Sequence, residues 1–116
     1  METLIEVNKK EYNDILIFNF TGELDETNAD KTFQMLYKEI GDFSGKKIIL
    51  HLGGLKYLNS KSIGYIADMY SHVDEGNGQI FIANCDEGVK DVLELVGITT
   101  IIKTVDTLQE AVQELS

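Results

Sequence analysis

The most constraining stretch of this chain is KKIILHL, residues 46 to 52, where apolar side chains follow one another almost without polar interruption. A strand with one face in water alternates apolar and polar residues, so a run of this kind calls for cover on both faces. The flanking sequence offers that cover. Residues 27 to 40 place Ala29, Phe33, Leu36, Tyr37 and Ile40 at helical spacing, and residues 61 to 73 do the same with Ile63, Ile66, Ala67, Tyr70 and Val73. Strands separated by single helices form the right-handed crossovers from which parallel sheets are built.

The rest of the sequence extends the pattern. LIEV, residues 4 to 7, and DILIFNF, residues 14 to 20, read as strands joined by the polar KKEYND as a hairpin connection. Thr27 and Asp30 have capping-box spacing for the first helix, GDFSG breaks it, and the second helix starts near Ser60. EGNG makes a turn into the strand QIFIA, followed by the helix DEGVKDVLELVG with Val89, Val92, Leu93 and Val96 inward and Gly97 as its stop. ITTIIK is read as the last strand. DTLQEAVQELS is the last helix, opened by Thr107 and Glu110 and burying Leu108, Ala111, Val112 and Leu115. The order is β-β-α-β-α-β-α-β-α: a small α/β fold with a mixed, mostly parallel sheet of about five strands and four helices. At 116 residues a single domain over 1–116 is expected.

Charge narrows the function. The chain has 20 acidic residues against 10 basic ones, all lysine, for a formal charge of -10. An acidic chain without arginine lacks the bidentate fork and the basic surface that nucleic-acid and anionic-membrane binding rely on, so neither partner is expected. A protein partner with a basic patch fits better. Cys85 is the sole cysteine, which rules out an intramolecular disulfide or a cysteine zinc cluster. His51 and His72 lie on different elements without a ligand pattern, and the common hydrolase, zincin and nucleotide-loop motifs are missing. No metal, cofactor or enzymatic activity is expected. No apolar run has the length of a membrane span and the first residues lack a signal-peptide layout, so a soluble cytoplasmic protein is expected.

In open α/β sheets, sites lie at the carboxyl ends of strands, where loops enter helix N-termini. TGELDETN and GGLKYLNSKSIG are the two loops of that kind. The second, within ILHLGGLKYLNSKSIGYIADMY, resembles the STAS domains, the bacterial anti-sigma factor antagonist family, in which a strand reading L-D-L-S-G leads to a D-S-S-G-L-G helix start. FTGELDETNAD is similar to the family's G-E-L-D loop and first helix, and VKDVLELVGITTIIKTVDTLQEAV to its C-terminal half.

The resemblance implies a partner-switching protein in transcription regulation. Unphosphorylated, such a domain binds an anti-sigma factor that is itself a serine kinase; serine phosphorylation ends the complex and a serine phosphatase resets it. Setting Asn59 to Gly64 against D-S-S-G-L-G puts Ser60 at the phosphoacceptor position, with Ser62 as the alternative acceptor. It also brings Asp25 and Thr27 of the first loop, and Asn59, Lys61 and Ser62 of the second, into the partner-binding region. Tyr65, Asp68 and Met69, on the helix face opposite Ile63, Ile66 and Tyr70, complete the expected docking surface. Asn59, Lys61 and Ser62 depart from the family's Asp, Ser and Gly. Bland roles compete at each position: Asn59 or Ser60 as a simple helix cap, Asp25 or Thr27 as a cap of the first helix, and Met69 as core. The alternative function is a STAS-type interaction or scaffold module that is not phosphorylated. A monomer or weak dimer is expected.

Overall fold

The computed structural model describes residues 3–116. Strand β1 (Ile5–Tyr12) turns through Asn13 and Asp14 into β2 (Ile15–Leu24). Helix α1 (Ala29–Ile40), strand β3 (Lys47–Leu58), helix α2 (Ser60–Glu75), strand β4 (Gln79–Ala83) and helix α3 (Glu87–Leu95) follow. A 3-10 turn (Ile98–Thr100), strand β5 (Lys103–Val105) and helix α4 (Leu108–Leu115) complete the chain. The sheet order is β1-β2-β3-β4-β5, with β1 antiparallel to β2 and every other pair parallel. This is the expected α/β architecture in the expected order.

The two-residue period of the strands divides the core. Leu16, Phe18, Phe20, Ile48, Leu50, Leu52, Ile80 and Ile82 point to one face, where α1, α2 and α3 cover them with Phe33, Leu36, Ile66, Met69, Val73 and Leu93. Ile15, Ile17, Ile49, Phe81 and Ala83 point to the other, where α4 alone packs with Ala111 and Leu115. KKIILHL is therefore apolar because β3 is central: Ile48, Ile49, Leu50 and Leu52 are all fully buried.

Several local expectations are corrected. The hairpin closes over Asn13 and Asp14 rather than over KKEYND, with Asn13 in the left-handed region at φ 55. Strands β2 and β3 run past their expected ends at residues 20 and 52 to Leu24 and Leu58, carrying the GG pair inside β3. Gly54 is required there, since a Cβ would meet the Phe20 carbonyl oxygen at 2.7 Å. ITTIIK is not a strand: Ile98 and Ile102 are buried one helical turn apart around the 3-10 turn, and β5 starts only at Lys103. On α3, Val89 and Leu93 face inward, but Val92 and Val96 are exposed. Gly97, at φ 85, stops that helix as expected. The first helix starts at Ala29 without a Thr27–Asp30 box, because Thr27 bonds backwards to Asp25. At α4 Thr107 does cap the helix, its Oγ1 accepting the Glu110 N–H at 3.1 Å. Among the described residues no helix is long and apolar enough to cross a membrane.

Candidate functional site

The parallel pairing of β2 with β3 ends at Leu24 opposite Leu58, so the two loops singled out in the sequence leave the sheet side by side. The Asn59 N–H donates to the Leu24 carbonyl at 3.1 Å and ties them together. Asp25, Thr27, Asn59, Ser60 and Lys61 thus share one end of the sheet, where two helices begin.

At the entry to α1 the side chains of Asp25, Thr27 and Asn28 are spent on local bonds. Asp25 Oδ1 accepts the Thr27 N–H at 2.9 Å and the Thr27 hydroxyl at 2.6 Å, and Asp25 Oδ2 accepts the Thr3 hydroxyl. The Thr27 hydroxyl, then the Thr3 hydroxyl, hold the Asp25 carboxyl below its ordinary value of 3.8. Asn28, buried at 8% exposure, closes the structure. Its Oδ1 accepts the Asp25 N–H at 3.0 Å, and its Nδ2 donates to the carbonyls of Thr3 at 3.0 Å and Glu23 at 2.9 Å. Asn28 escaped the sequence reading, although an Asn just ahead of an apolar helical stripe was the available signal.

The entry to α2 is built differently. Asn59 is the N-cap, with φ -92 and ψ 175; its Oδ1 accepts the Ser62 N–H at 3.0 Å and the Ser62 hydroxyl at 2.7 Å. Ser62 is completely buried, so the expectation of a surface acceptor or partner contact at that residue is corrected: its hydroxyl is an internal strut. Ser60 is the first residue of the helix and is exposed. By helix geometry the N–H groups of Ser60 and Lys61 have no acceptor one turn back, and they lie at the positive end of the helix dipole.

Down α2, Lys61 Nζ reaches Asp30 Oδ2 of α1 at 2.8 Å, and the Tyr65 hydroxyl donates to Asp30 Oδ1 at 2.5 Å. The Lys61 ammonium first, then the Tyr65 hydroxyl, keep the Asp30 carboxyl below its usual range. The Tyr65 ring stacks on Phe33 with centroids 4.8 Å apart and planes 7° apart. One turn further, Asp68 Oδ2 accepts the Tyr37 hydroxyl at 2.7 Å and lies 3.3 Å from His72 Nε2. Burial, and then the Asp68 carboxylate, push the Tyr37 phenol well above its ordinary value. Met69 is fully buried in the core, which corrects its expected place on the docking face. The buried stripe of α2 is Ser62, Ile66, Met69 and Val73, rotated from the one read off apolar residues alone.

Gly64 stands at the last glycine of the D-S-S-G-L-G pattern. A Cβ there would meet nothing within 4 Å, and beside it lies a shallow depression of about 280 Å³ lined by Lys61, Gly64, Tyr65 and Asp68. A partner can approach the α2 backbone closely at this point.

The His51 ring pairs Nδ1 with Asn19 Oδ1 and Nε2 with Asn84 Nδ2 at 3.3 Å; burial, then the Lys10 ammonium, lower its pKa. Burial pushes the Cys85 thiol up to about 11, leaving it protonated at neutral pH. Among the described residues no group of three or more His, Cys, Asp or Glu side chains is arranged to hold a metal ion.

Residues 6–111 match the STAS domain, and the chain belongs to that family. It is 22% identical over 111 residues to the anti-sigma F factor antagonist of Paenibacillus polymyxa, an alignment covering 96% of this chain and 95% of that protein. A Thermotoga maritima crystal structure provisionally assigned as an anti-sigma factor antagonist superposes with a TM-score of 0.82 at 25% identity, covering 94% of this chain and 93% of that one. The unphosphorylated form of the antagonist SpoIIAA shares the fold at 18% identity, with a TM-score of 0.76 and coverage of 94% and 95%. The Bacillus SpoIIAA in its phosphorylated form does so at 15% identity, with a TM-score of 0.74 and coverage of 96% and 100%.

Proposed function

We propose that this protein is an anti-sigma factor antagonist whose grip on its partner is switched by phosphorylation of Ser60. The observation that carries this reading is the contrast between two serines of one helix turn: Ser60 is exposed at the first position of α2, and Ser62 is buried with its hydroxyl bonded to Asn59. The proposed partner is an anti-sigma factor with serine kinase activity. In the kinase step the γ-phosphoryl group of its ATP passes to Ser60 Oγ, the hydroxyl proton is lost and ADP leaves; a serine phosphatase returns the hydroxyl.

A phosphate on Ser60 would stand at a helix N-terminus, where the free N–H groups of Ser60 and Lys61 and the dipole favour an anion, so the fold tolerates it. It adds about -1.5 to -2 charge at pH 7. Lys61 is already paired with Asp30, so the new charge lands on the docking face of an already acidic chain. The unphosphorylated face offers the bare backbone at Gly64 with Lys61, Tyr65 and Asp68 around it, and Asp25 and Thr27 across the loop. Release then follows from charge and lost fit at the contact rather than from unfolding.

The test is incubation with the cognate kinase and ATP, read by intact mass and by partner binding. One phosphate is expected on the wild type and on Ser62→Ala, none on Ser60→Ala, and partner binding lost in Ser60→Glu but kept in Ser60→Ala. Label that persists in Ser60→Ala defeats the assignment. A kinase that phosphorylates a control substrate but binds this protein without labelling it favours a scaffold module instead.

A further inference from the structure

The β1 edge of the sheet carries a second surface, different in kind from the helix face. Strand β1 is at the end of the sheet and pairs on one side only, with β2. The Glu23 N–H donates to the Leu4 carbonyl at 3.0 Å, and the register Ile5 to Gly22 through Tyr12 to Ile15 is unbroken. Even-numbered residues therefore turn their backbone groups toward β2. By the alternation of an antiparallel strand, Ile5, Val7, Lys9 and Glu11 turn theirs outward, where the ladder stops.

The side chains along this edge are complementary to themselves when the strand is reversed. With Asn8 at the centre, Lys10 mirrors Glu6 and Tyr12 mirrors Leu4. Leu4 and Tyr12 are among the most exposed large apolar side chains, at 82% and 53%. Among the described residues neither Glu6 nor Lys10 forms an ion pair, whereas Lys9, on the opposite face, is held by Glu39 of α1 at 3.0 Å. Exposed edge strands usually carry lysine to repel a second strand. Here one lysine is neutralised by α1 and the other is matched by a glutamate two residues beyond the centre.

The geometry points to a second copy of this chain as the occupant: two β1 strands pair antiparallel about a two-fold axis at Asn8, joining the sheets edge to edge. In that register Ile5 faces Glu11 and Val7 faces Lys9 in hydrogen-bonded pairs using the outward backbone groups. Glu6 faces Lys10, Asn8 faces its own copy and Leu4 faces Tyr12 in the closer, non-hydrogen-bonded pairs. The contact is isologous, so each charge pair occurs twice. The Leu4 of one copy also comes beside the apolar groove that Tyr12 lines with Ile17, Leu108 and Val112.

Sedimentation velocity across a concentration series, with charge exchange, tests this. The wild type should self-associate. Glu6→Lys and Lys10→Glu should each weaken association by roughly ten-fold or more, because each sets like charges opposite one another twice. Mixing the two single variants should restore a dimer, since both pairs between positions 6 and 10 are then opposite in charge, and the double variant Glu6→Lys/Lys10→Glu should dimerise alone. Asn8→Cys should form a reducible disulfide dimer across the axis. A wild type that stays monomeric at millimolar concentration overturns the proposal. So does a dimer indifferent to the single exchanges, or single variants that fail to associate when mixed.

Discussion

Two helices of this protein start at the same end of the sheet, after neighbouring parallel strands, with the same kinds of residue, yet their entries have opposite chemistry. At α1 the side chains of Asp25, Thr27 and Asn28 close on one another and on Thr3, so that both Asp25 oxygens and the Thr27 hydroxyl are engaged. At α2 the cap is satisfied inside one turn, by Asn59 and Ser62, and of the two exposed residues between them Ser60 presents a hydroxyl to water. One entry is a clasp and the other a presented group. Residue type alone does not separate a structural polar cluster from a functional one; what separates them is whether the local bonds use up the donors and acceptors present.

The sharpest way to break the comparison is to remove the clasp. Asn28→Ala deletes three hydrogen bonds at a nearly buried position and strands the carbonyls of Thr3 and Glu23 and the N–H of Asp25. We expect a loss of about 2 to 4 kcal/mol in chemical denaturation, with phosphorylation of Ser60 unaffected while the chain remains folded. A loss under about 0.5 kcal/mol, the level of an ordinary surface substitution, would show that the α1 entry is no clasp.

The second contrast is acid sensitivity. Asp25 can take up a proton and Asn59 cannot. The folded Asp25 carboxyl lies below its ordinary value of 3.8 because the hydroxyls of Thr27 and Thr3 bond its charged form. Its contribution to stability is therefore fully present above that ordinary value and is lost as pH falls through the folded one. Thermal melting followed from pH 7 down into the acid range should show a smaller loss in Asp25→Asn than in the wild type. Identical acid limbs would mean that Asp25 is not held by those contacts.

The sequence made the architecture legible because apolar periodicity is imposed by burial, and burial is what the layers share. The near-continuous run in β3 foretold a central strand, and Gly97 the end of α3. ITTIIK failed because β-branched residues favour a strand only if a neighbour exists to pair with; Ile98 and Ile102, four apart, are buried on one turn instead. The site was half legible. The two loops were found from topology, and Ser60 from resemblance to a motif. The stripe of α2 was misread because Ser62 is buried through a hydrogen bond, which a count of apolar residues does not register, and including it turns Met69 inward. The clasp was invisible for a related reason: Thr3 and Asp25 are 22 residues apart and meet only because β1 pairs antiparallel with β2.

The smallest expected effect on stability falls at Asn59, where the chain departs from the Asp of the family motif. Asp and Asn are nearly equal caps, and a carboxylate oxygen can accept the Ser62 N–H and hydroxyl as the amide oxygen does. Asn59→Asp should therefore leave the denaturation midpoint unchanged within about 0.5 kcal/mol. Chemistry at the neighbouring hydroxyl is a separate matter, because a carboxylate beside Ser60 can orient it or accept its proton in a way that an amide cannot. Initial rates of phosphorylation by the cognate kinase should rise in Asn59→Asp if the presented serine is limited by its own activation. An unchanged rate would place that activation entirely on the kinase, leaving Asn59 as a cap and nothing more. A fall would mean that the kinase reads the amide, making Asn59 part of the recognition surface that Ser60 belongs to.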